Sequence, residues 1–252
     1  FRGRSCCTNG SIITTQNNLK KEELKMSEDY NKESLISSDF LLEAKNLTHS
    51  FDYELFNDIN LTLSKKQSIA IIGMSGSGKS TLLNILSSLL KPCFGEVLFN
   101  EKDLYSLKQN KLLNIRREDF GIIFQAHYLF RGFTASENLD IATLLSENEI
   151  DDKLLEDLKI EHVINQGVGE LSGGQQQRLS IARVLTKKPK IIFADEPTGN
   201  LDKDTANMVI DTLFNYIKSN DAGLVLVTHE NDLAMQCDKV YKLVDTKLQE
   251  LK

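Results

Sequence analysis

The chain has 252 residues, room for one large domain or two small ones, and 40 % of them are apolar, enough to build a core. Its net charge of −6 and lack of a basic block argue against electrostatic capture of nucleic acid. No apolar run approaches the ~18 residues that span a bilayer, so a membrane role requires another chain to supply the membrane part.

Residues 1–40 are polar and aperiodic, with no apolar stretch of the kind found in signal peptides. They read as a disordered tail or a segment foreign to the native chain, with Met26 as a candidate native start. Ordered patterning begins near Phe40. Residues 42–51 and 59–63 alternate apolar and polar side chains, as half-buried antiparallel strands do. Residues 68–72 form a continuous apolar run ended by glycine, the pattern of a central parallel strand. Leu82, Leu83, Leu86, Leu89 and Leu90 recur at helical spacing and predict a helix over 79–90. Residues 95–99 read as an edge strand, a polar helix runs through Ile115, and 121–124 form a short strand.

The acidic stretch 135–165 is helical by pattern. An amphipathic helix over 172–185 has Ser172 at its N-cap. Strands at 190–194, 223–227 and 239–244 and a helix at 205–217 complete the chain. Strands alternating with helices give an α/β core around a parallel sheet. The early strands form an antiparallel layer beside it, and the middle segment is a helical insertion. The four cysteines, Cys6, Cys7, Cys93 and Cys237, show neither metal-ligand spacing nor a disulfide framework, which fits a reducing cytosol.

Residues 73–80 read GMSGSGKS and match the phosphate-loop pattern at every fixed position, after a predicted strand and before a predicted helix. Gly73, Gly76 and Gly78 let the backbone wrap a phosphate, with Met74, Ser75 and Ser77 between them. The helix N-terminus adds free N–H groups. Lys79 brings a cation to the β- and γ-phosphates of ATP, Ser80 a hydroxyl for Mg2+, and Thr81 a contact to the α-phosphate. Residues 191–196, IIFADE, are a buried strand ending in two acids. On their own, Asp195 and Glu196 read equally well as helix caps. Beside a phosphate loop, Asp195 reads as a magnesium ligand and Glu196 as the general base on the attacking water. Gln125 and His229 each follow a strand, where a lone Gln is usually a surface residue and a lone His usually structural. Their order with the other motifs makes Gln125 a candidate for the metal and the water, and His229 a bridge from γ-phosphate to base.

The sequence resembles the nucleotide-binding subunits of ATP-binding-cassette (ABC) transporters over about residues 41–248. The resemblance rests on the aromatic Phe51, the phosphate loop, Gln125, the octapeptide LSGGQQQR at 171–178, the acidic strand, Asn200-Leu201-Asp202 and His229, in that order. It implies a P-loop NTPase fold of the ABC-ATPase type over 41–250. That fold has a RecA-like parallel-sheet core, an antiparallel β layer and a helical subdomain at about 126–185. It also implies that Phe51 stacks on adenine, with Tyr53 as the rival ring. Leu171, Ser172, Gly173, Gly174 and Gln175 would serve the ATP held by a second copy, and Asp202 would communicate across that dimer. The implied partners are the second copy and integral membrane permease subunits, at the cytoplasmic face of the inner membrane.

Within the superfamily, ADEPTGNLD at 194–202 resembles the group of lipoprotein-releasing (LolD-type), cell-division (FtsE-type) and macrolide-export (MacB-type) ATPases. FQAHYLFRGFTASENL at 124–139 is most similar to the lipoprotein-releasing subunit. The FtsE-like and MacB-like readings are the alternatives. An ATPase of DNA maintenance or of the ribosome is a remote one, against which the acidic single cassette counts. Three departures stand out. Phe51 replaces the usual Tyr, Lys66-Gln67 stands where the family has a glycine, and the insertion between Ser146 and Leu158 is short, which loosens the identity of the permease.

Overall fold

Period-two alternation in the first ordered residues produces two long antiparallel strands, β1 (Phe40–Ser50) and β2 (Glu54–Ser64). The computed structural model describes residues 40–199 and 201–252; the tail at 1–39, with Met26, and Asn200 lie outside the described residues. Strand β2 begins five residues before the predicted 59, because the alternation is broken by Asp58 at φ 55° and the pairing register shifts nearby. The turn after β2 explains the missing glycine. Lys66 adopts φ 60°, the left-handed conformation a glycine would take, and its N–H is held by the Ala222 carbonyl at 2.7 Å.

The apolar run becomes β3 (Ser68–Gly73), fully buried up to its final glycine. Helix α1 (Lys79–Leu86) stops four residues short of the prediction. Ser88 turns left-handed at φ 65°, and Leu89 N–H bonds the Asn84 carbonyl while Ser88 N–H bonds that of Ile85, the two bonds of a Schellman end. Next come β4 (Phe94–Phe99), the two-residue β5 (Lys102–Asp103), helix α2 (Gln109–Glu118) and β6 (Phe120–Ile123).

The stretch predicted helical over 135–165 is broken: α3 (Ala135–Ser146), then α4 (Asp152–Asp157), then only single turns. Glu147 at φ 58° and Lys159 at φ 51° end the two helices without the help of glycine. Helix α5 (Gly173–Thr186), β7 (Ile191–Asp195), α6 (Lys203–Ser219), β8 (Gly223–Val227) and β9 (Lys239–Val244) follow as the pattern indicated, with a short helix α7 (Asn231–Ala234) that the pattern did not indicate between β8 and β9. A strand the pattern did not indicate, β10 (Lys247–Glu250), pairs antiparallel with β9.

Strands β2–β1–β4–β5 form one sheet and β10–β9–β3–β8–β7–β6 the other, the latter parallel except at β10. The alternation of side chains across the parallel strands feeds two cores. Ile69, Ile71, Phe193, Val225 and Val227 pack with α1 and the antiparallel layer. Ala70, Ile72, Ile192, Ala194, Leu224 and Leu226 pack with α5, α6 and the helical insertion. Phe99, Phe120 and Phe193 contact one another edge to face, with centroids 5.1 Å apart at each step. With both faces covered, the carboxyl ends of β3, β6, β7 and β8 are where polar groups emerge together, the usual ligand edge of a parallel sheet.

Candidate nucleotide site

The loop after β3 has the conformation its glycines permit. Gly76 and Gly78 have φ of 78° and 97°, in the left-handed region closed to most side chains. Gly78 is the N-cap of α1, and no side chain caps that end, so the helix presents bare N–H groups. Lys79, 7 % exposed, donates to the carbonyls of Gly73 at 3.0 Å and Met74 at 2.9 Å. Its ammonium is thereby drawn back across the loop. Ser77 Oγ is buried and has no hydrogen-bond partner. Beside Lys79, Ser80 and Thr81 lies a cleft of about 210 Å³ also lined by Phe51, Tyr53 and Leu55. Both candidate aromatic rings therefore face the phosphate loop, and both are exposed. The Phe51 ring stands edge-on to buried His49, with centroids 4.8 Å apart.

Strand β7 delivers the two acids. Burial pushes the Asp195 carboxyl up from its ordinary value, while a hydrogen bond from the Ser80 side chain lowers it, Glu196's charge raises it and Lys79's charge lowers it. Glu196 leaves the strand at φ 47°, its N–H held by the Val227 carbonyl at 2.9 Å. That turn points its carboxylate between two donors. Gln125 Nε2 donates to Oε2 at 3.3 Å, and His229 Nδ1 donates to Oε1 at 3.1 Å. Three strand ends thus meet at one carboxylate. Glu196 does not cap α6; that cap is Asp202.

Ser172 is the N-cap of α5, and the cap is a full box. Gln175 N–H donates to Ser172 Oγ at 3.2 Å, and Ser172 N–H donates to Gln175 Oε1 at 2.8 Å. The N–H groups of Gly173 and Gly174 open the helix. None of residues 171–175 lines the cleft beside the phosphate loop, so the capped start of α5 and that cleft of the same chain stand apart. Asp202 accepts from Thr205 N–H at 3.0 Å and Thr205 Oγ at 2.7 Å, and these bonds hold its carboxyl below the usual range. Its cap role was absent from the sequence reading, although Asp three residues before Thr is a helix-start signal.

The pattern also missed His127 and Gln177, which lie 50 residues apart and bond side chain to side chain at 2.5 Å. No short-range signal reports such a pair. Among the described residues no helix is long and apolar enough to cross a membrane.

The ABC transporter family profile matches residues 56–199. The lipoprotein-releasing system ATP-binding protein LolD 1 of Rhodopseudomonas palustris is 36 % identical over 221 residues, covering 85 % of this chain and 98 % of that protein. LolD of Rickettsia felis is 44 % identical over 195 residues, covering 75 % and 86 %. Among solved structures, the dimeric post-hydrolysis ATP-binding cassette MJ0796 bound to ADP and Pi superimposes with a TM-score of 0.75 at 32 % identity, covering 84 % of this chain and 98 % of that one. The chain belongs to the ATP-binding subunits of ABC transporters, proteins that bind and hydrolyse ATP.

Proposed function

We propose that this chain is the ATPase subunit of a lipoprotein-releasing transporter, working as two copies beneath membrane permease subunits at the cytoplasmic face of the inner membrane. The enzymatic reading is carried by the convergence of Gln125 and His229 on the Glu196 carboxylate beside the phosphate loop. The cargo is inferred from the relatives, which are named as ATP-binding proteins of lipoprotein-releasing systems.

In this reading, residues 73–81 hold the phosphates of ATP and Phe51 or Tyr53 stacks on adenine. Lys79 exchanges its two loop carbonyls for phosphate oxygens. Ser80, Gln125 and Asp195 offer a hydroxyl, an amide oxygen and a carboxylate, the hard oxygen donors magnesium takes. The set fits the ion: Asp195 is bonded by Ser80 and is in no ion pair among the described residues. When bound, the ion supplies positive charge at the phosphate oxygens. The Glu196 carboxylate accepts a proton from the attacking water. His229 Nδ1–H and Gln125 Nε2–H hold that carboxylate in place, which leaves Gln125 Oε1 to orient the water.

Ser172, Gly173 and Gly174 serve the ATP of the second copy, and Leu171 and Gln175 shape that turn. Asp202 lies at the dimer contact. A groove of about 330 Å³ between α2, α3 and α5, lined by Tyr128, Phe130, Ile141 and Leu145, receives a cytoplasmic helix of the permease.

The test is Glu196→Gln in the complex with its permease. ATP binding persists, and turnover falls by about 10²- to 10⁴-fold as the base is lost. Turnover at the wild-type rate removes Glu196 as base. Copurification with a membrane subunit, and turnover stimulated by a lipoprotein in that complex, test the cargo; no stimulation refutes lipoprotein release.

A further inference from the structure

The loop between β6 and α3 carries Gln125, yet its own backbone does little to fix it. Among the described residues, none of 125–129 makes a backbone-to-backbone hydrogen bond. Tyr128 is held at φ 46°, a left-handed conformation uncommon for a bulky aromatic residue. The restraints come from side chains, and two of them arise on α5, the helix that Ser172 caps. Gln177 is 2 % exposed and its amide oxygen accepts from His127 Nδ1 at 2.5 Å. Arg183 donates to the Tyr128 carbonyl at 2.9 Å and lies over the Phe130 ring at 5.9 Å. Leu129 adds apolar packing against the core.

Gln177 shows why its bond to His127 matters. Its Nε2 is buried and bonds to nothing, so burying this amide costs stability on one side. A methionine would fill the same space without that cost. The one thing the amide contributes is the link to the Gln125 loop.

We propose that Gln177 and His127 are a positioning couple that ties the Gln125 loop to helix α5, so that movement of the Ser172 end is felt at the Glu196 carboxylate of the same chain. The proposal rests on the reading of Gln125 and Ser172 given above. Ser172 engages ATP on the second copy, whereas Gln125 touches Glu196 in its own site. The couple therefore carries information between the two ATP sites of a dimer. His127 and Gln177 touch no reacting atom; they act through Gln125.

The test is Gln177→Met in the full chain, with three readouts. Thermal stability holds or rises, because an unsatisfied amide leaves the core. The NMR backbone order parameters of residues 125–129 fall. The ATPase kcat falls about tenfold, the worth of one lost positioning bond, while KM for ATP stays and cooperativity between sites drops. His127→Ala gives the same kcat, and the double variant is no worse, since the two residues act as one link. Unchanged order parameters in 125–129 overturn the tie. Lower order parameters with unchanged kcat and cooperativity overturn the coupling. Gln125→Ala distinguishes the underlying reading: wild-type turnover there refutes the role of Gln125, while the order parameters of Gln177→Met still report on the tie.

Discussion

Strand β8 and the segment around Leu144 are both apolar in sequence, and the fold treats them in opposite ways. Every residue of β8 is buried, and its register is fixed by β3 on one side and β7 on the other. Leu144 and Leu145, at the end of α3, are 81 % and 52 % exposed, and the chain beyond them breaks at left-handed Glu147. In the sheet, ladder hydrogen bonds deliver Gly73, Asp195 and His229 to one line with little freedom. In the helical insertion, short helices joined by turns leave an apolar surface outward. The first arrangement suits chemistry, which needs fixed distances, and the second suits docking, which needs available surface.

The largest expected effect sharpens the chemical side. Asp195→Asn lowers kcat by about a hundredfold or more, through loss of the charge at the strand end. The same change raises thermal stability at neutral pH. The sign follows from the raised pKa: folding favours the protonated carboxyl, so the wild type loses stability as pH rises through that window, and asparagine mimics the protonated form. Melting curves from acid to neutral pH check this, with the gap between variant and wild type closing towards acid. A wild type as stable as the variant at neutral pH would contradict the burial argument.

A smaller effect probes the sheet's intolerance. A Cβ at Gly223 would lie 2.6 Å from Leu63 Cδ2, between the two sheets. Gly223→Ala therefore costs roughly 1–3 kcal/mol of stability by overpacking, measured by denaturant unfolding. A change within error means the layers slide apart freely, and the contrast with the insertion fails.

The smallest effect on stability belongs to the docking side. Leu144→Ser combined with Leu145→Ser shifts unfolding by no more than about 0.5 kcal/mol, because neither residue is committed to the core. Copurification of the membrane subunit falls all the same. Retention of the partner at the wild-type level would remove this surface from the interface.

The elements that sequence made plain are those with local causes. The phosphate loop is set by its glycines, α5 by the hydroxyl of Ser172, and β9 by the valines and tyrosine of KVYKLV, read to both ends. The elements it concealed depend on distant partners or on unusual backbone. Strand β10 is polar and exists by pairing with β9. The first half of β2 hides behind the kink at Asp58, and the helical insertion breaks at a glutamate where no glycine warns of it. Among site residues, the positions of Gln125, Glu196 and His229 were legible as motifs, but their meeting at one carboxylate was not. The pair His127–Gln177 joins side chains that only the folded chain brings together.

The left-handed turn at Glu196 has an evolutionary consequence. Its φ of 47° is comfortable for glycine and strained by roughly 1 kcal/mol for glutamate. Glycine here would relieve that strain but give up the bonds from Gln125 and His229, so a laboratory selection for heat resistance alone has little reason to keep the glutamate. On the role proposed for Glu196, selection for turnover keeps it, so position 196 reports whether a variant library was sorted for stability or for activity.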